Sequence, residues 1–250
     1  MVKDGVFTIG LDIDNVLNAC AEWFVEYAAE HFDIDVELGT RTAYNWSDYI
    51  TAEQEAEILN QSHLHFGHFR PRQIAVEFLR RVHVIANRNN IKVRFIYVTD
   101  RRFLGFPYKE LLKLPPREET YQRTLDWLLY NGFPVHELYL EGDMGGKTKG
   151  EIAVAENVDI FIEDAVHKAM DISQHLRRIF DSVEPVWLML MPWNRTSFLD
   201  ALQQDVMPPG IRYVKDWSEI MLLLLHQWQE FGVLEKNELD ALEAYRQHIF

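Results

Sequence analysis

Six stretches of this chain run apolar without the polar alternation of a half-solvated strand: residues 6–11, 93–98, 138–140, 160–162, 186–190 and, more weakly, 211–214. Short continuous apolar runs are what strands buried on both faces need, and such strands belong to parallel sheets. Between them the apolar positions take a helical period. Over 118–130, Tyr121, Leu125, Leu128 and Leu129 share one face, and Gly132 follows as a stop. Over 165–180 the equivalent face carries Val166, Met170, Ile172, Leu176 and Ile179. Strands alternating with helices predict an α/β protein: a Rossmann-like, doubly wound parallel sheet with ligands at the carboxyl ends of its strands.

One gap breaks the rhythm. Between the first strand and Val93 lie about 80 residues without a convincing strand, against roughly a dozen for a minimal crossover. Residues 18–32, 52–61 and 72–87 have helical patterns, and Pro71 suits the first turn of the third. The economical organisation is a core of residues 1–17 and 88–220, a small helical cap of 18–87 inserted after the first strand, and a helical extension over 221–250. Leu222, Leu225, Trp228 and Phe231 of that tail are expected to pack on the body. There is no internal repeat or low-complexity tract.

Composition narrows the partners. With 48% hydrophobic and 13% aromatic residues, the 250-residue chain can bury a sizeable core. Its net charge of −14 argues against a broad grip on nucleic acid polymers, while leaving room for a local positive site that takes a small phosphorylated ligand. The single cysteine, Cys20, excludes an internal disulfide and points to a reducing compartment. The first residues lack the apolar region of a signal peptide, and the longest apolar run, 220–225, is too short to cross a bilayer. A soluble cytoplasmic protein with no membrane partner is expected.

Four segments place chemistry at strand ends. The first strand stops at Asp12-Ile13-Asp14. Two carboxylates there can share a cation, with one oxygen of Asp12 as nucleophile and Asp14 as general acid and base; alternatively they cap a helix beginning near Asn15. The second strand ends in Thr99-Asp100-Arg101-Arg102, a hydroxyl and backbone N–H groups suited to phosphoryl oxygens, or simply a polar turn. The third segment, Gly142-Asp143-Met144-Gly145-Gly146-Lys147-Thr148-Lys149, misses the phosphate loop of nucleotide triphosphatases, because Glu141 stands where the first glycine is required. One of its two lysines can still point a cation at phosphate. The fourth, Phe161-Ile162-Glu163-Asp164, ends another strand in adjacent acids, which suit magnesium or let Asp164 cap the next helix. Capping does not easily account for all four together.

In this order the motifs resemble the haloacid dehalogenase superfamily of aspartyl-phosphate phosphotransferases. The resemblance implies that Asp12 is the nucleophile. Asp14 is the general acid/base and offers its backbone carbonyl to the metal. Thr99 is the phosphate-binding hydroxyl, and Lys149 the charge-stabilising lysine, with Lys147 as the alternative. Asp164 is the acidic magnesium ligand, with Glu163 beside it. Within the superfamily the chain looks most like the 5'(3')-deoxyribonucleotidase type and its bacterial nucleotidase relatives. It shares with them the cap between the first two motifs, the Phe161–Asp164 ending, Pro192-Trp193-Asn194-Arg195 and the segment from Val214 to Ile220. Two positions depart from the family: Asn15 stands where glycine is usual, and Asp100 adds a negative charge beside Thr99.

The cap carries Trp23, Phe24, Tyr27, Tyr44, Trp46, Tyr49, Phe66 and Phe69. Most belong to its own small core; flat rings such as Trp23, Tyr44 and Trp46 can stack on a nucleobase. Arg70, Arg72, Arg101 and Arg102 can meet phosphate or sugar. The spacing of His63, His65 and His68 does not favour one helical face, and zinc is not expected. The resulting expectation is a Mg2+-dependent phosphomonoesterase acting on nucleoside monophosphates. Its substrate-binding residues are Thr99, Asp100, Arg101, Lys147, Trp23, Tyr44 and Trp46, and its metal residues Asp12, Asp14, Asp164 and Glu163. The alternatives are a phosphatase for another small metabolite such as a sugar phosphate, a catalytically silent nucleotide- or protein-binding member, and a magnesium-binding scaffold. The C-terminal amphipathic helix is the candidate interface of a homodimer.

Overall fold

The computed structural model describes residues 6–34, 49–101, 113–177, 184–191 and 209–230. Six strands form one all-parallel sheet: β1 Val6–Leu11, β2 Lys92–Thr99, β3 Glu137–Leu140, β4 Ile160–Glu163, β5 Val186–Met189 and β6 Ile211–Val214, in the order β3-β2-β1-β4-β5-β6. The helices are α1 Cys20–Phe32, α2 Ala52–His65, α3 Gln73–Arg88, α4 Arg117–Tyr130, α5 Lys149–Ala155, α6 Val166–Leu176 and α7 Trp217–Glu230, with a short 3-10 turn at Phe66–His68 after α2.

The apolar runs are explained by side-chain parity. Phe95 and Tyr97 of β2, Ile160 and Ile162 of β4, and Trp187 and Met189 of β5 enter one core with α3, α4 and α7. Their neighbours Ile96, Val98, Phe161, Val186 and Leu188 enter a second core with α5 and α6. Both faces of the sheet are therefore covered, which is what removes polar alternation from its strands. The fold is α/β and doubly wound, and the strand order reverses between β1 and β4. Ligand crevices in such sheets open at that point, beyond the carboxyl ends. Gly10 in β1 allows the close approach of β4: a Cβ there would lie 2.4 Å from the Phe161 ring.

Two details differ from the sequence pattern. Helix α3, read as part of the 18–87 cap, buries Val76, Phe78, Leu79 and Val82 in the sheet's own core, and Phe78 packs on Trp217 of α7. An amphipathic helix follows its apolar face, whatever segment it is numbered with. Pro71 lies outside α3, which is preceded by Arg72 as its cap; Pro71 instead forms an antiparallel bridge with Asn18. That bridge ties together the outgoing and returning connections of the insert: Ala19 N–H donates to Arg70 O (3.0 Å) and Arg72 N–H to Leu17 O (2.8 Å).

Helix α7 packs on the core through Leu225 and Trp228 as expected, with Leu224 rather than the part-buried Leu222 beside them, and the Trp217 indole N–H donates to Val16 O (3.1 Å). Tyr44, Trp46, Arg102, the 192–195 segment, Phe231 and the remaining tail lie outside the described residues. Among the described residues, no helix is long and apolar enough to cross a membrane.

Candidate active site

Three adjacent strands, β2, β1 and β4, end side by side. Leu11 pairs with Tyr97 on one side and Ile162 on the other, so Asp12 emerges beside the start of the Glu163-Asp164 pair. The Asp12 N–H continues the ladder to Ile162 O (3.0 Å). One carboxylate oxygen from each of Asp12, Glu163 and Asp164 lies within 4.8 Å of the others, and all three residues are buried.

Lys149 is the lysine that reaches them. Its buried Nζ lies 2.8 Å from Asp12 Oδ1 and 2.8 Å from Glu163 Oε2. A capping box sets its position: Thr148 Oγ1 accepts from Glu151 N–H, and the Glu151 carboxylate accepts from Thr148 N–H. That makes Lys149 the first helical residue of α5 and turns it into the cluster. Gly150 lets α5 lie tightly on α6, since a Cβ there would meet His175 and Asp171 at under 3 Å. Lys147, the alternative, sits two residues earlier in the preceding loop, and no ion pair is seen for it among the described residues.

Electrostatics follow from burial. Burial alone would push the Lys149 ammonium down, but Asp12 and Glu163 outweigh it and hold Lys149 well above its ordinary value. One ammonium can neutralise only one carboxylate. Burial, and then the Glu163 charge, push Asp12 well above the usual carboxylate range despite Lys149. Burial raises Glu163 as well. Both Glu163 oxygens are engaged: Oε2 by Lys149, and Oε1 by the backbone N–H groups of Asp164 and Ala165 (each 3.1 Å). Glu163 thus caps the entry to α6 and holds the lysine. The residue at the cap position of α6 is Ala165.

Asp14 does not join that cluster. Its Oδ1 accepts from Asn18 Nδ2 (2.9 Å) and from the Arg101 guanidinium. Nor does it cap a helix, since α1 begins only at Cys20, with Ala19 at its cap position. Asn15 takes a left-handed backbone (φ 66°) and uses its side chain twice: Oδ1 accepts from Ala21 N–H (2.8 Å), and Nδ2 donates to Asp164 Oδ2 (3.2 Å). Thr99 is fully buried, and among the described residues its hydroxyl has no hydrogen-bond partner. Asp100, whose charge threatened to repel phosphate, is faced by Lys168 Nζ at 3.6 Å, and Lys168 also pairs with Glu141.

Trp23 packs against Tyr27, Phe69 and His65 in an aromatic cluster of the insert. Its neighbours occupy much of the ring surface that stacking on a base would need. The sequence reading missed Asn18, Lys168 and the side-chain role of Asn15. Asn18, four residues after Asp14, carried a readable signal, because Asn before a helix tends to bond nearby backbone; here Oδ1 accepts from Asn15 and Cys20 N–H (each 3.1 Å).

The donor set is chemically uniform. All three clustered side chains are hard oxygen donors, with no imidazole or thiolate among them, which fits magnesium rather than zinc or copper. Were all three carboxylates ionised, one ammonium would leave two negative charges in a buried site, a condition a divalent cation relieves. No protein-family model matches this chain, and no curated protein matches it either.

Proposed function

We propose that the protein is a magnesium-dependent phosphomonoesterase of the haloacid dehalogenase type, with nucleoside monophosphates as its favoured substrates. The observation that carries the reading is the convergence of Asp12, Lys149, Glu163 and Asp164 at the ends of β1 and β4, with the Thr99 hydroxyl, which has no partner among the described residues, at the end of neighbouring β2. A buried hydroxyl without a partner is costly unless a ligand supplies one.

In this reading an Asp12 carboxylate oxygen attacks phosphorus. The bond from phosphorus to the leaving oxygen breaks, and Asp14 gives that oxygen its proton. An aspartyl-phosphate forms on Asp12. Asp14 then takes a proton from water as the water oxygen attacks phosphorus, and the phosphorus–Asp12 bond breaks to release phosphate. Thr99 donates its hydroxyl to a phosphoryl oxygen, and Lys149 stabilises charge on the transferring group. Asp12 and Asp164, with the Asp14 carbonyl, would hold magnesium, whose charge offsets that of the carboxylates and the phosphoryl oxygens. Glu163 fixes Lys149 rather than donating to the cation.

The aromatic insert favours a nucleobase. The packing around Trp23 favours a different small phosphomonoester, and the same experiment separates the two. Phosphate release is measured from a panel of nucleoside monophosphates and sugar phosphates, with magnesium and with chelator, beside Asp12→Asn. Magnesium-dependent release that falls at least about a thousandfold in the variant is expected. Full turnover by Asp12→Asn sinks the mechanism.

A further inference from the structure

Arg101 stands at the end of β2, two residues after Thr99, where a cation for the substrate phosphate is the natural guess. Its surroundings say otherwise. The side chain is buried, and its guanidinium donates to Asp14 Oδ1. The guanidinium carbon sits 3.2 Å from the centroid of the Phe66 ring, with the Phe69 ring 5.7 Å away. Phe66 is itself immobilised, buried against Trp127 of α4 (5.3 Å between centroids) and Phe69 (5.5 Å). A planar cation laid on a fixed ring has little freedom to swing toward a ligand.

Asn18 completes the arrangement by donating to the same Asp14 oxygen (2.9 Å). Asp14 Oδ1 therefore takes both bonds. Oδ2 has no partner among the described residues and stays available to exchange a proton.

We infer that Arg101 is a positioning residue for Asp14, held by the Phe66 ring, and not a grip on the substrate phosphate. The inference rests on the phosphomonoesterase reading, in which Asp14 gives its proton to the leaving oxygen. A misplaced Asp14 harms only the steps that move that proton: departure of a poor leaving group, and attack of water on the aspartyl-phosphate.

The test compares two substrates that differ in that need. A nucleoside 5'-monophosphate expels its nucleoside as an alkoxide, which requires the proton; 4-nitrophenyl phosphate expels the stable 4-nitrophenolate, which does not. In Arg101→Ala, kcat/KM for the nucleotide should fall at least about a hundredfold, and that for 4-nitrophenyl phosphate less than about tenfold. Inhibition by inorganic phosphate should stay within about threefold of wild type, and 4-nitrophenyl phosphate should give a burst of nitrophenolate as hydrolysis of the intermediate becomes slow. Arg101→Lys keeps the charge but not the stacked plane and should recover part of the loss. Phe66→Leu, which keeps apolar volume and removes the ring, should reproduce the pattern more weakly.

Equal losses on both substrates with weakened phosphate inhibition would make Arg101 a phosphate grip and overturn the assignment. Unchanged kinetics in Arg101→Ala would overturn it too. An inactive wild type on both substrates overturns the phosphomonoesterase reading and this assignment with it, whereas an active wild type keeps the two failures apart.

Discussion

The two ends of the sheet handle charge in opposite ways. At the amino end, Asp159 accepts the Thr8 N–H (2.8 Å), Glu156 accepts from the Tyr139 hydroxyl (2.7 Å) and pairs with Arg94, and Glu137 lies 3.8 Å from the same arginine. Arg94, Glu137 and Glu156 keep 13–48% of their side-chain surface in water, which screens whatever imbalance remains among them. At the carboxyl end, Asp12, Glu163 and Lys149 keep 8% or less. Three buried carboxylates cluster there, two of them paired with Lys149, and among the described residues the buried Thr99 hydroxyl has no hydrogen-bond partner. The buried acidic cluster thus sits at the end where parallel α/β sheets hold ligands, and the ion pairs at the other end stay in reach of water.

Removing the buried Lys149 ammonium should break this contrast most severely. Lys149→Met leaves the carboxylates facing one another, and metal-free protein should lose about 3–5 kcal/mol of stability by urea denaturation. Glu156→Gln at the solvated end should cost about 1 kcal/mol or less. A divalent cation sharpens the comparison: magnesium at a hundred times its dissociation constant should stabilise the chain by about 2.7 kcal/mol. Asp164→Asn should abolish most of that gain, while Asp159→Asn should leave it intact. Equal responses of both variants in calorimetric melts would remove the distinction between the two ends.

Asn15→Gly probes the link between the cluster and α1. Glycine accepts the left-handed backbone, so the turn survives and only the amide bonds to Asp164 and Ala21 go. Magnesium binding measured by titration calorimetry should weaken by about tenfold, as for other groups that orient a metal ligand.

The smallest effect lies away from the site. Asp216 accepts N–H bonds from Ser218 (2.9 Å) and Glu219 (3.1 Å) at the start of α7. Partial burial pushes its carboxyl up, but the Ser218 hydroxyl and these backbone bonds outweigh that and hold it below its ordinary value. A carboxyl lowered in the folded state adds stability that is full above its unfolded value of about 3.9 and is lost as pH falls through the lower folded value. Asp216→Ala should therefore cost about 1 kcal/mol near neutral pH and nearly nothing in strong acid, read from urea midpoints across pH.

All six strands were legible because burial on both faces writes itself into a short local run. Helix α5 was nearly so: the Thr148-x-x-Glu151 capping box names Lys149 as its first residue and already favours it over Lys147. The placement of α3 was not legible, since its apolar stripe fits a small bundle or a sheet equally well until the partner surface is known.

Which strands end in chemistry is written in local sequence. An apolar run closed by Asp12, by Thr99 or by Glu163-Asp164 is a local signal, and so was the acidic excess that pointed away from nucleic acid polymers. Only the tertiary structure decided whom those groups meet. Arg101 finds Asp14 across 87 positions, and Asn15 finds Asp164 across 149. Lys168 reaches back from α6 to face Asp100 and Glu141. Periodicity states which face a side chain takes, but the partner is set by strand order and helix packing, which bring together parts of the chain that no local pattern connects.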